Sequence, residues 1–193
     1  MARRYTLGKR ATDMERTREA ILAAARARLA RVGYVALRVD DVARRARVSR
    51  RTVYAHFRSR SLLADAALDE RVGTLRDRVS RWRPRSSDAG AVLDEVIAFH
   101  ARTYREEYAL METLSEGAPE SGRRLMRELD AERLRTITRT VQSIAGQLRL
   151  APRDASALIH TTLSYPAWRV ALTGPAGRRA PRLIAAMLRA ALL

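Results

Sequence analysis

Apolar positions along this chain recur every three or four residues, the period of a helix with one buried face, and no stretch alternates at period two. Ile21, Leu22, Ala25, Leu29 and Val32 share one side of a first helix; Thr12-Asp13-Met14-Glu15 opens it as a capping box and Gly33 stops it. Val39, Val42, Ala43 and Ala46 form the buried face of a short second helix. Val53 and Phe57, four apart, give the inward side of a third, from Arg50 to His56. Ser59 is placed to cap a long fourth helix carrying Leu68, Val72, Leu75, Val79 and Trp82; Arg83-Pro84-Arg85 ends it. A fifth runs from about Asp88 to Glu107 and extends through Met111, before breaks at Gly117-Ala118-Pro119 and Ser121-Gly122. Leu125, Leu129, Ile137, Val141, Ile144 and Leu148 mark a long amphipathic helix. Pro152 starts another that reaches about Thr173 with a kink at Pro166, and after Gly174-Pro175-Ala176-Gly177 a last helix runs from Pro181 to Leu193. The expected fold is all-α, with a flexible basic arm over 1–11, a three-helix unit over 12–60 and a larger helical domain over 61–193.

The densest signal is Arg38 to Arg60, RVDDVARRARVSRRTVYAHFRSR, two short helices around a tight turn. Ser49 is an N-cap for the second, which leaves Arg50, Arg51, Thr52, Tyr54, Ala55 and His56 facing outward. A small helix bearing arginines, hydroxyls and an aromatic suits the major groove of DNA, where arginine is rewarded against guanine edges. Val42-Ala43, Ala46-Arg47-Val48-Ser49, Thr52-Val53-Tyr54, His56-Phe57, Arg60 and Leu63 resemble the helix-turn-helix of the TetR family of bacterial transcriptional regulators. The resemblance implies phosphate contacts from Ser49, Thr52, Tyr54, His56 and Arg60, and base-edge positions at Arg50, Arg51 and Ala55. Arg47 departs from the family pattern, standing where the turn usually has glycine, and Arg38 stands where a threonine commonly caps the first motif helix. A residue with a side chain in such a turn is expected to be strained.

Charge strengthens the nucleic-acid reading. The net charge is +17, and residues 1–60 hold 17 Lys and Arg against 5 Asp and Glu, while the remaining residues hold 21 against 16. The excess sits around the motif, as a phosphate-binding footprint would. Lys9 is the only lysine, so the basic side chains are almost all arginine. There is no cysteine for a disulfide or thiolate metal site, no run long enough for a membrane span, and no apolar stretch behind MARRYTLGKR to make a signal peptide. The protein is expected in the cytoplasm. His56, His100 and His160 are far apart in sequence, and neither a nucleophile elbow nor a Walker or GxGxxG loop is present, so no catalytic, metal or cofactor site is expected.

Beyond the motif, the resemblance implies an effector cavity among the later helices. The fifth-helix stripe Leu93, Ile97, His100, Tyr104, Tyr108 and Met111 mixes apolar bulk with polar tips, as a pocket for an apolar or amphipathic molecule would. Leu129 and Trp168 are further ligand candidates, with His160 and Leu125. The resemblance also implies a homodimer through the two C-terminal helices, where Leu188 and Leu192 lie four apart and can face a partner. The expected protein is a dimeric repressor that leaves a palindromic operator on binding a small molecule. A ligand-independent architectural DNA-binding protein is the alternative, and an enzyme or adaptor on an inherited fold a third.

Overall fold

A computed structural model describes the backbone of residues 2–115 and 120–193 and the side chains from Arg10 onward; the break expected at Gly117-Ala118-Pro119 lies outside the described residues. Among them are ten α-helices and no strand: α1 (Ala2–Val32), α2 (Val39–Ala46), α3 (Arg50–His56), α4 (Arg60–Arg81), α5 (Ala89–Glu106), α6 (Tyr108–Ser115), α7 (Glu120–Ser143), α8 (Pro152–Thr162), α9 (Tyr165–Thr173) and α10 (Ala180–Leu192). Single 3₁₀ turns follow α7 and precede α10. The all-α reading holds. The chain folds as two compact units, residues 1–74 with 112–126, and residues 75–111 with 127–193, with the divisions inside α4, α6 and α7.

In the first unit, Ile21, Leu22, Ala25 and Leu29 of α1 bury against Val39, Val42 and Ala43 of α2, with Val53, Phe57 and Leu63 completing the core. Each is at most about 7% exposed, and together they fix the angle between α2 and α3. Gly33 terminates α1 at φ +69, a left-handed conformation that glycine adopts without cost. The capping box at Thr12 does not start a helix. α1 begins at Ala2 and runs through the residues expected as a flexible arm, and Thr17 Oγ1 donates to Asp13 O within it. Leu7, Lys9 and the arginines there are good helix formers and outweigh the single Gly8, so the helix runs through the capping pattern.

In the second unit α5 packs along α10. Arg189 of α10 donates to Gly90 O at 3.0 Å and pairs with Asp94, and a Cβ on Gly90 would stand 2.6 Å from Arg189 Nη1. Asp88 caps α5 by accepting from Ala91 N at 2.8 Å. Gln147 bridges the start of α5, accepting from Ala89 N at 2.9 Å and donating to Ser87 O at 2.8 Å. Three helix limits differ from the sequence reading. α5 stops at Glu106, one turn before the expected extension through Met111, so Tyr108 and Met111 belong to α6. Ser121-Gly122 lies inside α7. Pro166 does not kink a long helix but sits in the first turn of α9, after α8 has ended at Thr162. A proline there has no amide to lose from the helix ladder.

Candidate functional site

The turn between α2 and α3 is built on one strained residue. Arg47 takes φ 57, ψ 39, the only positive-φ position among the described non-glycine residues, and its backbone N–H closes α2 on Arg44 O and Ala43 O. The chain then extends through Ser49, whose Oγ accepts from Thr52 N at 3.0 Å and lies 2.8 Å from Thr52 Oγ1. These bonds satisfy the free first turn of α3 and aim its outer face. At the start of α2, Arg38 provides no side-chain cap, and Asp40 and Asp41 supply the favourable charge instead.

That outer face carries Arg50, Arg51, Tyr54 and Ala55 as exposed residues and Thr52 and His56 as half-buried ones. Tyr54, 36% exposed, lies under the Arg50 guanidinium at 5.5 Å from the ring centroid. Arg50 also reaches Asp40 of α2, with Nη1 3.3 Å from Oδ1, so the two are held by a solvent-exposed pair of small energy. Arg51 has no acid against it among the described residues. Arg60 points elsewhere: its Nη1 donates to Tyr34 O at 3.2 Å and Val35 O at 3.0 Å, and its guanidinium covers the Tyr34 ring. It ties α4 to the α1–α2 link. Arg18, not singled out from the sequence, stacks over Phe57 at 5.4 Å, which packs a second cation beside the motif. Nothing in its spacing marks that contact, which joins residues 39 positions apart. The arrangement is a stiff, cationic, short helix on a buried two-helix base, and it can enter a groove and meet phosphates and base edges.

The ligand candidates, Leu125 apart, lie in the second unit and fall into two groups. His100, Tyr104 and Trp168 are buried at 5%, 5% and 0% exposure and share one aromatic cluster with Phe99 and Tyr165. Tyr104 Oη donates to Leu163 O at 2.8 Å, and burial pushes its pKa up to about 12, so it stays a donor. Burial drives the His100 imidazole down to about 4, with Arg133 and His160 adding to the effect and the bond to Val96 O opposing it. Arg133 of α7 is itself buried, bonded to Asp130 and to His160 O at 2.8 Å. His160 Nε2 lies 3.3 Å from Asp130 Oδ2, and burial and Arg133 lower its pKa. Met111 and Leu129 are buried, as is Leu125 of the first unit. Tyr108 is not in this group: it is 47% exposed on α6, because the break at Glu107 turns it out of the α5 stripe. Leu188 and Leu192 are also corrected. At 1% and 0% exposure they cover the core of their own unit, and the large apolar residues exposed on α10 are Leu183 and Met187. Among the described residues no group of three or more His, Asp or Glu could hold a metal ion, and no helix is long and apolar enough to cross a membrane.

Residues 21–67, which contain the whole helix-turn-helix, match the family described as bacterial regulatory proteins, tetR family. No curated protein matches the sequence. Solved structures share the fold over nearly the full length. Reduced NemR of E. coli is 14% identical, with 92% of this chain and 97% of that chain covered and a TM-score of 0.67. SmeT, solved with triclosan, is 23% identical, with 92% and 91% covered and a TM-score of 0.64. NalD, the secondary repressor of the MexAB-OprM multidrug efflux pump in Pseudomonas aeruginosa, is 21% identical, with 94% and 98% covered and a TM-score of 0.62. At such identities the likeness is one of fold.

Proposed function

We propose that this chain, whose residues 21–67 match the tetR family of bacterial regulatory proteins, is a cytoplasmic, homodimeric repressor of that family, released from a palindromic operator by a small molecule. The observation that carries the reading is the capped, cationic α3 on its buried base, with Arg50, Arg51 and Ala55 on the face a groove would meet. Arg50 and Arg51 read base edges; Ser49, Thr52, Tyr54 and His56 anchor phosphates. Arg60 reaches a phosphate as well, since its guanidinium is exposed and its contacts to Tyr34 O and Val35 O leave donors over.

A single motif of this size makes too few contacts to select one site in a genome, so two copies related by a two-fold axis act together. α9 and α10 supply the partner face. Val170 (69% exposed), Leu183 (56%) and Met187 (50%) are large apolar side chains left in water by the single chain. The effector binds the second unit, around His100, Tyr104, Met111, Leu129 and Trp168. It favours a conformation in which the two recognition helices no longer match groove spacing. That SmeT is solved with triclosan, on the same fold, agrees with a small-molecule partner.

Selection of bound sequences from random DNA tests this. The expected product is an inverted repeat with half-sites about one helical turn, or a multiple, apart. Recovery of unrelated sequences bound equally well would instead make the chain an architectural DNA-binding protein.

A further inference from the structure

Four buried side-chain polar atoms in the second unit lack a hydrogen-bond partner, Arg78 Nε, His100 Nε2, His160 Nε2 and Trp168 Nε1. His160 Nε2 faces Asp130 Oδ2 at 3.3 Å and the Arg78 guanidinium pairs with Glu106 and Glu107, which leaves His100 and Trp168 without a charged neighbour against them. They are not equivalent. His100 Nδ1 lies 2.8 Å from Val96 O, and a carbonyl only accepts, so Nδ1 carries the hydrogen. The ring is uncharged in its buried setting, which leaves a bare lone pair at Nε2, an acceptor without a donor. Trp168 Nε1–H is the reverse, a donor without an acceptor. Tyr104 neighbours both rings, with centroids 5.9 Å from His100 and 6.0 Å from Trp168, and its own hydroxyl hydrogen is already given to Leu163 O. The surroundings, Phe99 and Tyr165, are aromatic.

We propose that this cluster recognises an uncharged aromatic effector bearing a hydroxyl group, which donates to His100 Nε2 and offers oxygen to Trp168 Nε1–H. The proposal rests on the reading of the second unit as an effector domain and names the chemistry of its ligand. Charge is excluded from both sides. The nearby cation, Arg133, is committed to Asp130 and His160 O, so it leaves no counter-ion for a carboxylate, and its field opposes an ammonium group. A hydroxyl fits because it is donor and acceptor at once, and a flat ring fits because edge and offset contacts with the four aromatic side chains reward it. An analogue without the hydroxyl hydrogen would leave the His100 lone pair buried and unpaired, which is the kind of difference that discriminates strongly.

Calorimetric titration of the full chain with 2-naphthol, 2-methoxynaphthalene and 2-naphthoate tests the chemistry. The expected result is that 2-naphthol binds about tenfold or more tightly than its methyl ether, the factor that about 1.4 kcal/mol represents, while the carboxylate does not bind. His100→Leu should bring 2-naphthol down to the level of the ether. Trp168→Phe should weaken both and keep their ratio, which separates loss of one bond from loss of the fold. Equal binding of naphthol and ether, binding by none of the three, or an unchanged ratio in His100→Leu overturns the proposal. Operator release is measured apart. A chain that ranks the probes as expected but keeps its operator has this ligand chemistry without the regulatory role; one released by probes without that ranking has the role without the chemistry.

Discussion

At the scale of single residues, Arg47 shows how a motif can survive a poor choice of side chain. Its left-handed backbone would suit glycine, so Arg47→Gly should stabilise the chain by about 1 kcal/mol, read as a higher denaturation midpoint. The arginines of α3 and α4 divide by what they touch. Arg50→Ala should cost about 1–3 kcal/mol and relax preference at one base position in each half-site, whereas Arg60→Ala should weaken all sequences alike. Competition binding at two salt concentrations checks both. Because Arg60 also holds the α1–α2 link, its loss should lower the denaturation midpoint, and Arg50→Ala should not. His100 gives a pH dependence with a definite sign. Its folded pKa, about 4, lies below the ordinary 6.5, so between these values the unfolded chain binds more protons and stability falls as the solution is acidified. The full effect is about 3 kcal/mol at 1.36 kcal/mol per unit. His160 on α8, also lowered, adds to it; Arg133 on α7 adds to both, while Asp130 opposes the shift at His160. Denaturation of His100→Leu across pH 4–7 should show a flatter profile than the natural chain.

At the scale of elements, most helices were legible because one face of each is buried against its own neighbours, and burial enforces the three-four spacing. α2 and α3 could be read to the residue, since Ser49 caps in the way its position requires and Val53 and Phe57 face in. Ser49→Ala removes the bond to Thr52 N and should cost about 1 kcal/mol of stability. Where the sequence misled, the cause was a signal whose meaning depends on context. Thr12-Asp13-Met14-Glu15 is a starting signal only if the chain before it is not already helical. Pro166 breaks a helix in the middle but suits its first turn, and nothing local says that Ile159 and Leu163 would close α8 first. The break at Glu107 has no proline or glycine to announce it; Glu107 is buried and paired with Arg78, a partner 29 residues away. That break decided that His100 and Tyr104 share a buried cluster and Tyr108 does not.

At the scale of the whole molecule, the positive charge gathers in residues 1–60, so operator affinity should fall steeply with salt, and a measured slope of log affinity against log salt gives the number of phosphates neutralised. The proposed dimer belongs to this scale as well. Leu188 and Leu192, which spacing alone made candidates for the partner face, are spent on the core, because a periodic stripe says that a face is buried but not by whom. Leu183→Glu with Met187→Glu, on the exposed side of α10, should give a helical monomer that no longer holds its operator, as light scattering and circular dichroism would report. A glutamate at Leu188 should unfold the unit instead. The unpaired atoms of His100 and Trp168 reach further than binding. A buried polar atom without a partner costs stability, and in a cell the transiently unfolded fraction is what proteases remove. An effector that completes those bonds stabilises the folded chain by mass action. Under the proposed function, an inducer would then lengthen the lifetime of the very protein it displaced from DNA, and its exhaustion would find a larger stock of regulator ready to return.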